Sequence, residues 1–526
     1  LAQAQFFLAP ENSYQNAHNA ALRFMNRFPW PALAVLLSVY SLGHVIEEDV
    51  EGTCVDLLQT SSELRFRKMA EKTTSNFRPY RQKLKNLGDA AYVGEIRVGQ
   101  QDFDAILDSG SFELVLFTHN CAGCGMAGTH GYDPRSSKSF HPGKLVQELS
   151  YGSGDALCRN AFDQLDIGSK EEGGLHVEKQ PIWLVQEAKM EILESSQFEA
   201  ILGIGPPTAV KQQAQDDLAT LEALGGKFEA WNVTVPASIK SRIESKKAAD
   251  HMLEDLHDNV PENLQLQFLS ICLGAKSGSV GLATWHDFDP AQRVHEPFKR
   301  LAVIGKITWG LSLKNIHLVL NGQRVPIACL DGCGAVLDTG TSLLTAPTDA
   351  VNRMGQVLQS FGANCLKEKT LPTMEFELGG ETLTLPPAAF VGFVKGIMPA
   401  PWRLHFHQRP FLQVEDCELL MMDTGNLASN TGEGPLWIIG MPFFRHYYTT
   451  FDYGGISESA SSVEKKKPSI WVAEATESCE PKKQQELLQI EAGKEKGSTP
   501  SLLEVDQSQL RLPHWMGKKD GEHLQF

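Results

Sequence analysis

Ala105-Ile-Leu-Asp-Ser-Gly-Ser111 and Ala335-Val-Leu-Asp-Thr-Gly-Thr-Ser342 decide how this chain of 526 residues is read. Each stretch sets an aspartate after a short apolar, strand-forming run and before a hydroxyl residue, a glycine and a second hydroxyl. One copy is an ordinary turn sequence, because Ser, Gly and Asp favour turns for local reasons. Two copies, far apart in a chain long enough for two lobes, form a constellation. Carboxylates paired at the ends of buried strands suit hydrolysis by an activated water.

The rest of the pattern is consistent with a mostly β protein. Tyr92-Val-Gly-Glu-Ile-Arg-Val98 alternates, and Phe103 to Leu107 leads into the first aspartate. Leu145 to Ser150 runs toward Tyr151-Gly-Ser-Gly154, which reads as a hairpin tip. Phe198-Glu-Ala-Ile-Leu-Gly-Ile-Gly205 is an apolar strand closed by glycines. Strand patterns resume at Leu266 to Leu273 and from Ile316 to Val325. Trp437-Ile-Ile-Gly-Met-Pro442 and Tyr447 to Asp452 read as a strand pair, with Ile470 to Ala473 as a final strand.

Residues 207–262 interrupt this pattern with helical spacing at Val210 to Leu224 and Ile239 to Leu256. Between them Asn232-Val-Thr234 is an N-glycosylation sequon, so the region reads as a peripheral insertion. Residues 476–526 are rich in Glu, Lys, Gln, Ser and Gly, and that composition predicts a disordered tail.

A formal charge of −16 argues against nucleic acid as a partner. Trp30 to Leu42 is apolar, follows Arg23 and Arg27, and is short for a membrane span. It reads as a signal-peptide core or an uncleaved signal anchor, which predicts entry into the secretory pathway. Membrane attachment is expected only in the anchor case. From Arg65 to Lys85 there are eight basic residues against Glu71 alone. They read as a solvated basic helix or as a propeptide whose cations cover an anionic cleft.

Among ten cysteines, Cys121/Cys124 and Cys329/Cys333 are close pairs. The first, flanked by His119 and His130, admits zinc, redox chemistry or a local disulfide. No second ligand pair of matching spacing exists, so no metal is expected.

With these motifs in hand, residues 88–475 resemble the pepsin-like aspartic proteases, and the long insertions resemble the plasmepsin branch. The resemblance implies a bilobal, mostly β fold with the active-site cleft between two β lobes. It also implies a zymogen acting as a monomeric aspartic endopeptidase on extended peptide or protein substrates, without cofactor. Carried over, it divides the chain into a signal or anchor region (1–43), a propeptide-like segment (44–90), an N-terminal lobe (91–263), a C-terminal lobe (264–475) and a tail.

The resemblance makes Asp108 and Asp338 the catalytic pair, supported by Ser109, Gly110, Ser111, Thr339, Gly340 and Thr341. Tyr151, Gly152, Ser153 and Gly154 match the flap over substrate. Cys329 and Cys333 match a small disulfide loop, and Cys365 and Cys417 a disulfide of the C-terminal lobe.

Departures are equally specific. Ser109 replaces the usual threonine, Val115 a tryptophan that bonds the flap tyrosine, and Met441 a frequent aspartate. Phe112 and Glu113 replace small polar residues. Cys54, Cys158, Cys272 and Cys479 have no assigned partner. A non-catalytic peptide-binding relative is the rival reading; it is disfavoured because both aspartates, Ser111 and Thr341 are all present.

Overall fold

In the computed structural model the described residues are 78–151, 154–168, 174–194, 196–206, 260–305, 308–396, 417–424, 431–454, 467–491 and 502–511. The apolar segment 30–42, the basic residues up to 77, Cys54, Gly152, Ser153, the sequon and residues 207–259 lie outside them. So does the tail beyond 511.

The two diagnostic stretches build the same local structure twice. Gln101–Asp108 runs parallel to Ala200–Gly203, with Ala105 opposite Ala200 and Asp108 opposite Gly203. Cys333–Leu337 runs parallel to Leu436–Ile439, with Gly334 opposite Leu436 and Leu337 opposite Ile439. Parallel strands are covered on both faces, which explains why Ala-Ile-Leu and Ala-Val-Leu are unbroken apolar runs. In each copy the chain turns after the aspartate and returns antiparallel: Leu114 faces Leu202, and Thr345 faces Ile438.

The first copy belongs to a thirteen-stranded sheet and the second to an eight-stranded sheet. The architecture is mostly β, as expected, with the two aspartates on different sheets. The hairpin at the flap position is also present, His141–Tyr151 pairing with Gly154–Ile167 so that Tyr151 faces Gly154.

The boundaries differ from those expected. Tyr80–Leu87 is a strand between Gly281–Trp285 and Ala91–Val98, so it belongs to the body and not to a separate basic module. Its burial alternates, with Gln82 and Leu84 inside and Arg81, Lys83 and Lys85 outside. Period-two spacing thus turns the cations to solvent. Phe268–Cys272 and Gly281–Trp285, assigned by sequence to the C-terminal lobe, continue this same sheet.

Leu436–Ile439 and Tyr447–Asp452 do not pair with each other. Met441–His446 forms a helical turn between them, with Pro442 early in the helix where its missing N–H costs nothing. Tyr447–Asp452 then pairs with Phe268–Cys272 and Ser469–Glu474 in the thirteen-stranded sheet.

The tail reading fails for residues 476–491 and 502–511. Cys479 is disulfide-bonded to Cys272, Gln484–Glu491 is helical, and Leu503–Asp506 pairs parallel with Val391–Lys395. Leu503, Val505 and Leu510 are buried. Averaging over a polar tail hid this short alternation, and no local pattern announces a disulfide to a cysteine 207 positions away.

Candidate active site

Asp108 and Asp338 lie at the ends of their strands, both buried, at 3% and 1% exposure. Each carboxylate is held by the same two donors. Gly110 N donates to Asp108 Oδ1 at 3.0 Å and Ser111 Oγ to Asp108 Oδ2 at 2.6 Å. Gly340 N donates to Asp338 Oδ1 at 2.8 Å and Thr341 Oγ1 to Asp338 Oδ2 at 2.6 Å.

Each turn also presses against the other's aspartate. A Cβ on Gly340 would lie 2.2 Å from Asp108 Oδ1, and one on Gly110 would lie 2.9 Å from the Asp338 carboxyl. Close approach therefore requires glycine at both positions.

Ser109 and Thr339 lock the turns together. Ser109 N donates to Thr339 Oγ1 and Thr339 N to Ser109 Oγ, both at 2.9 Å. The hydroxyls then donate across: Ser109 Oγ to Leu337 O at 3.0 Å and Thr339 Oγ1 to Leu107 O at 2.7 Å. Each hydroxyl both accepts and donates, and all four residues are buried. Replacing Ser109 with alanine strands Thr339 N without its acceptor, which costs about 1–3 kcal/mol. Urea denaturation should show that loss for Ser109→Ala and its absence for Ser109→Thr, with kcat falling only in the alanine variant.

Burial pushes the Asp338 carboxyl well above the usual range, and the Asp108 charge adds to the rise; Thr341 and Gly340 oppose it. Two acids so close retain a proton between them.

Tyr151 is buried at 4% exposure, and burial, followed by the nearby Glu113 charge, raises its phenol pKa. Gly154 completes the described part of the hairpin tip with φ at +135°, a conformation suited to glycine. Val115 is buried and faces Ile201 and Trp183 on the neighbouring strands. Glu113 accepts a 3.4 Å hydrogen bond from Phe112 N. Its carboxyl is raised by burial, with the Asp108 charge adding.

Cys121–Cys124 and Cys329–Cys333 are disulfides, so the CxxC pair does not present free thiols. Cys365 is also disulfide-bonded, while the side chain of Cys417 is not among those described. Cys158 remains a buried thiol, its pKa raised by burial and then by Glu113.

Arg511 carries no local signal in the sequence, because it sits in a segment of tail composition. Its N–H donates to Ser342 Oγ at 2.6 Å, and its guanidinium lies over the Phe198 ring, 4.8 Å from the centroid. Burial lowers its pKa, while Asp108, Asp338 and Tyr151 draw it back up.

A sequence model of the eukaryotic aspartyl proteases matches residues 91–223 and 245–460. Pepsin A of Bos taurus is 24% identical over 382 residues, spanning 71% of this chain and 84% of that protein. Cathepsin D of Rattus norvegicus is 23% identical over 418 residues, spanning 77% and 88%. Gastricsin of Homo sapiens is 25% identical over 378 residues, spanning 70% and 80%. These relatives do not single out the plasmepsin branch. The chain belongs to the eukaryotic aspartyl protease family and is a pepsin-like aspartic endopeptidase.

Proposed function

We propose that Asp108 and Asp338 act as one catalytic pair that activates a water against a peptide bond. The observation that carries this reading is the duplicated set of donors on the two carboxylates, with the Ser109–Thr339 lock between them. The ionised member takes a proton from the water, and the protonated member hydrogen-bonds the scissile carbonyl oxygen. The water oxygen bonds to the carbonyl carbon, giving a tetrahedral gem-diol. Collapse breaks the C–N bond as a proton passes to the leaving amine. One proton remains shared, so the pair is ready for another turnover.

Ser111 Oγ and Thr341 Oγ1 hold the outer oxygens and fix the carboxyl planes. Tyr151, on the flap hairpin with Gly152, Ser153 and Gly154, covers the substrate and excludes water. The substrate is an extended peptide or protein segment, bound by its backbone with side chains in alternate pockets. This chemistry asks for no cofactor, because the pair supplies both acid and base.

We further propose that the protein is a zymogen working as a monomer after entry into the secretory pathway. The disulfides support an oxidising compartment. Among the described residues no helix is long and apolar enough to cross a membrane. Segment 30–42 is the candidate signal or anchor.

Peptide-library cleavage from about pH 3 to about pH 10 tests the reading. The expected kcat/KM profile is bell-shaped, since activity needs one proton on the pair. It falls in acid when the second carboxylate is protonated. Its basic limb lies above the ordinary carboxylate range because the Asp338 pKa is raised. A statine-type inhibitor should abolish cleavage. Cleavage that resists it, or a rate still rising beyond neutrality, contradicts the proposal.

A further inference from the structure

Residues 502–511 enter the region of the two aspartates as a bound peptide would. Leu503–Asp506 adds a parallel strand to Val391–Lys395, with Val505 opposite Val394 and 1% exposed. Asp506 N donates to Gly88 O at 2.8 Å, and Asp506 Oδ1 accepts from Ser508 N at 3.0 Å, which turns the chain. Leu510 is then 2% exposed and Arg511 7%.

At Arg511 the backbone pairs reciprocally with Ser342. Arg511 N donates to Ser342 Oγ at 2.6 Å, and Ser342 N donates to Arg511 O at 3.3 Å. Ser342 directly follows Thr341, whose hydroxyl is bonded to Asp338. A chain paired with Ser342 therefore passes within one residue of the catalytic turn.

The guanidinium is not placed for stability. One of its nitrogens, Nη1, is buried without a hydrogen-bond partner, a costly arrangement for a cation. What compensates is the Phe198 ring beneath it and the negative charge of the aspartate pair. Those same features would receive a substrate side chain.

We propose that Leu503–Arg511 is a peptide ligand held in cis in the substrate cleft, and that the slot formed by Ser342 and the Phe198 ring is an arginine subsite. The proposal rests on reading Asp108 and Asp338 as the catalytic pair. While the segment is docked, it occupies the path of substrate; when it leaves, an arginine-bearing peptide takes its place. Tethering supplies a local concentration on the order of 1 mM. A segment with an intrinsic Kd of about 100 μM would then suppress kcat/KM about tenfold.

The test uses the full chain carrying Arg511→Ala or, separately, Val505→Asp, which puts a charge into the buried face of the docked strand. kcat/KM is measured on a fluorogenic peptide. Binding of a fluorescein-labelled Leu-Glu-Val-Asp-Gln-Ser-Gln-Leu-Arg peptide to each variant is measured by anisotropy, with thermal melts as the folding control. The expected result is a rise in kcat/KM of about tenfold in both variants. Saturable peptide binding should weaken at least about tenfold when the peptide's arginine is replaced by alanine.

Unchanged kcat/KM in both folded variants overturns the proposal, and so does failure of the peptide to bind either one. Should Val505→Asp not fold, Arg511→Ala alone decides, because it removes an unpaired buried cation and leaves the strand intact. Peptide binding does not require turnover. Binding without cleavage by any form would therefore refute the catalytic reading while leaving the cis ligand standing.

Discussion

Asp338→Asn lowers kcat by about 10⁴-fold, in line with loss of an essential acid–base group, and leaves the chain no less stable at neutral pH. The amide keeps Oδ1 for Gly340 N and sets its NH2 against Thr341 Oγ1, whose hydroxyl turns from donor to acceptor, so neither buried group is stranded. It also removes a carboxyl whose ionised form is disfavoured by burial and by the Asp108 charge. The sign of the pH effect follows. A carboxyl whose folded pKa is raised binds more protons in the folded state than in the unfolded chain. Its favourable contribution is complete below the unfolded value and is lost as pH rises through the folded one. Urea midpoints at about pH 4 and about pH 7 should therefore diverge less in Asp338→Asn than in the unmodified chain. Retained turnover, or a variant markedly less stable at neutral pH, would count against the shared-proton pair.

The second large effect lies outside the chemistry. Arg445, in the turn Met441–His446, is 6% exposed and bonds Asp89 Oδ1 at 3.0 Å, with the Asp89 side chain 3% exposed. It also donates to Asp89 O at 3.1 Å and Gly274 O at 2.9 Å, and it lies over the Tyr92 ring, 5.1 Å from the centroid. Asp89 in turn accepts from Gly278 N and Asn86 Nδ2. The network joins the start of the first lobe to the last turn before Tyr447. Arg445→Met removes one charge and buries the other unpaired, at a cost of about 3–5 kcal/mol. Arg445→Met with Asp89→Asn should cost less than the sum of the single changes, giving a measurable coupling in a double-mutant cycle.

Here the pH sign is opposite to that of Asp338. Burial alone would raise the Asp89 carboxyl, but Arg445 and the hydrogen bonds from Ser277, Asn86 and Gly278 outweigh it and hold it below its ordinary value. Its contribution is present above the unfolded pKa and disappears as pH falls through the lowered one.

What was legible in the sequence was whatever the chain encodes locally. Asp108-Ser-Gly-Ser111 and Asp338-Thr-Gly-Thr341 carry their own turns, their own donors and the apolar runs behind them. Repetition of these short words was enough to imply two lobes meeting at one site. Less was legible where a partner is distant. Tyr80–Leu87 looked basic because three cations lie on its solvent face, while Gln82 and Leu84 carry the burial. Cys272 and Cys479 are separated by 207 positions, and neither one's neighbourhood names the other. Arg511 was invisible for the same reason: a single arginine in a polar segment acquires meaning only when Ser342 and the Phe198 ring stand against it. Composition describes a segment's average, whereas docking needs only Leu503, Val505 and Leu510.

The most direct measurement is hydrolysis of one mapped peptide in ¹⁸O-labelled water, with acid quenching and mass spectrometry of both peptide and enzyme. Direct attack by water activated between Asp108 and Asp338 predicts one ¹⁸O in the new carboxyl group from the first turnover and no covalent peptide–enzyme adduct. Product should also be absent with Asp108→Ala or Asp338→Ala. An acyl adduct on the enzyme, or labelled product formed at an undiminished rate by either variant, would contradict the account.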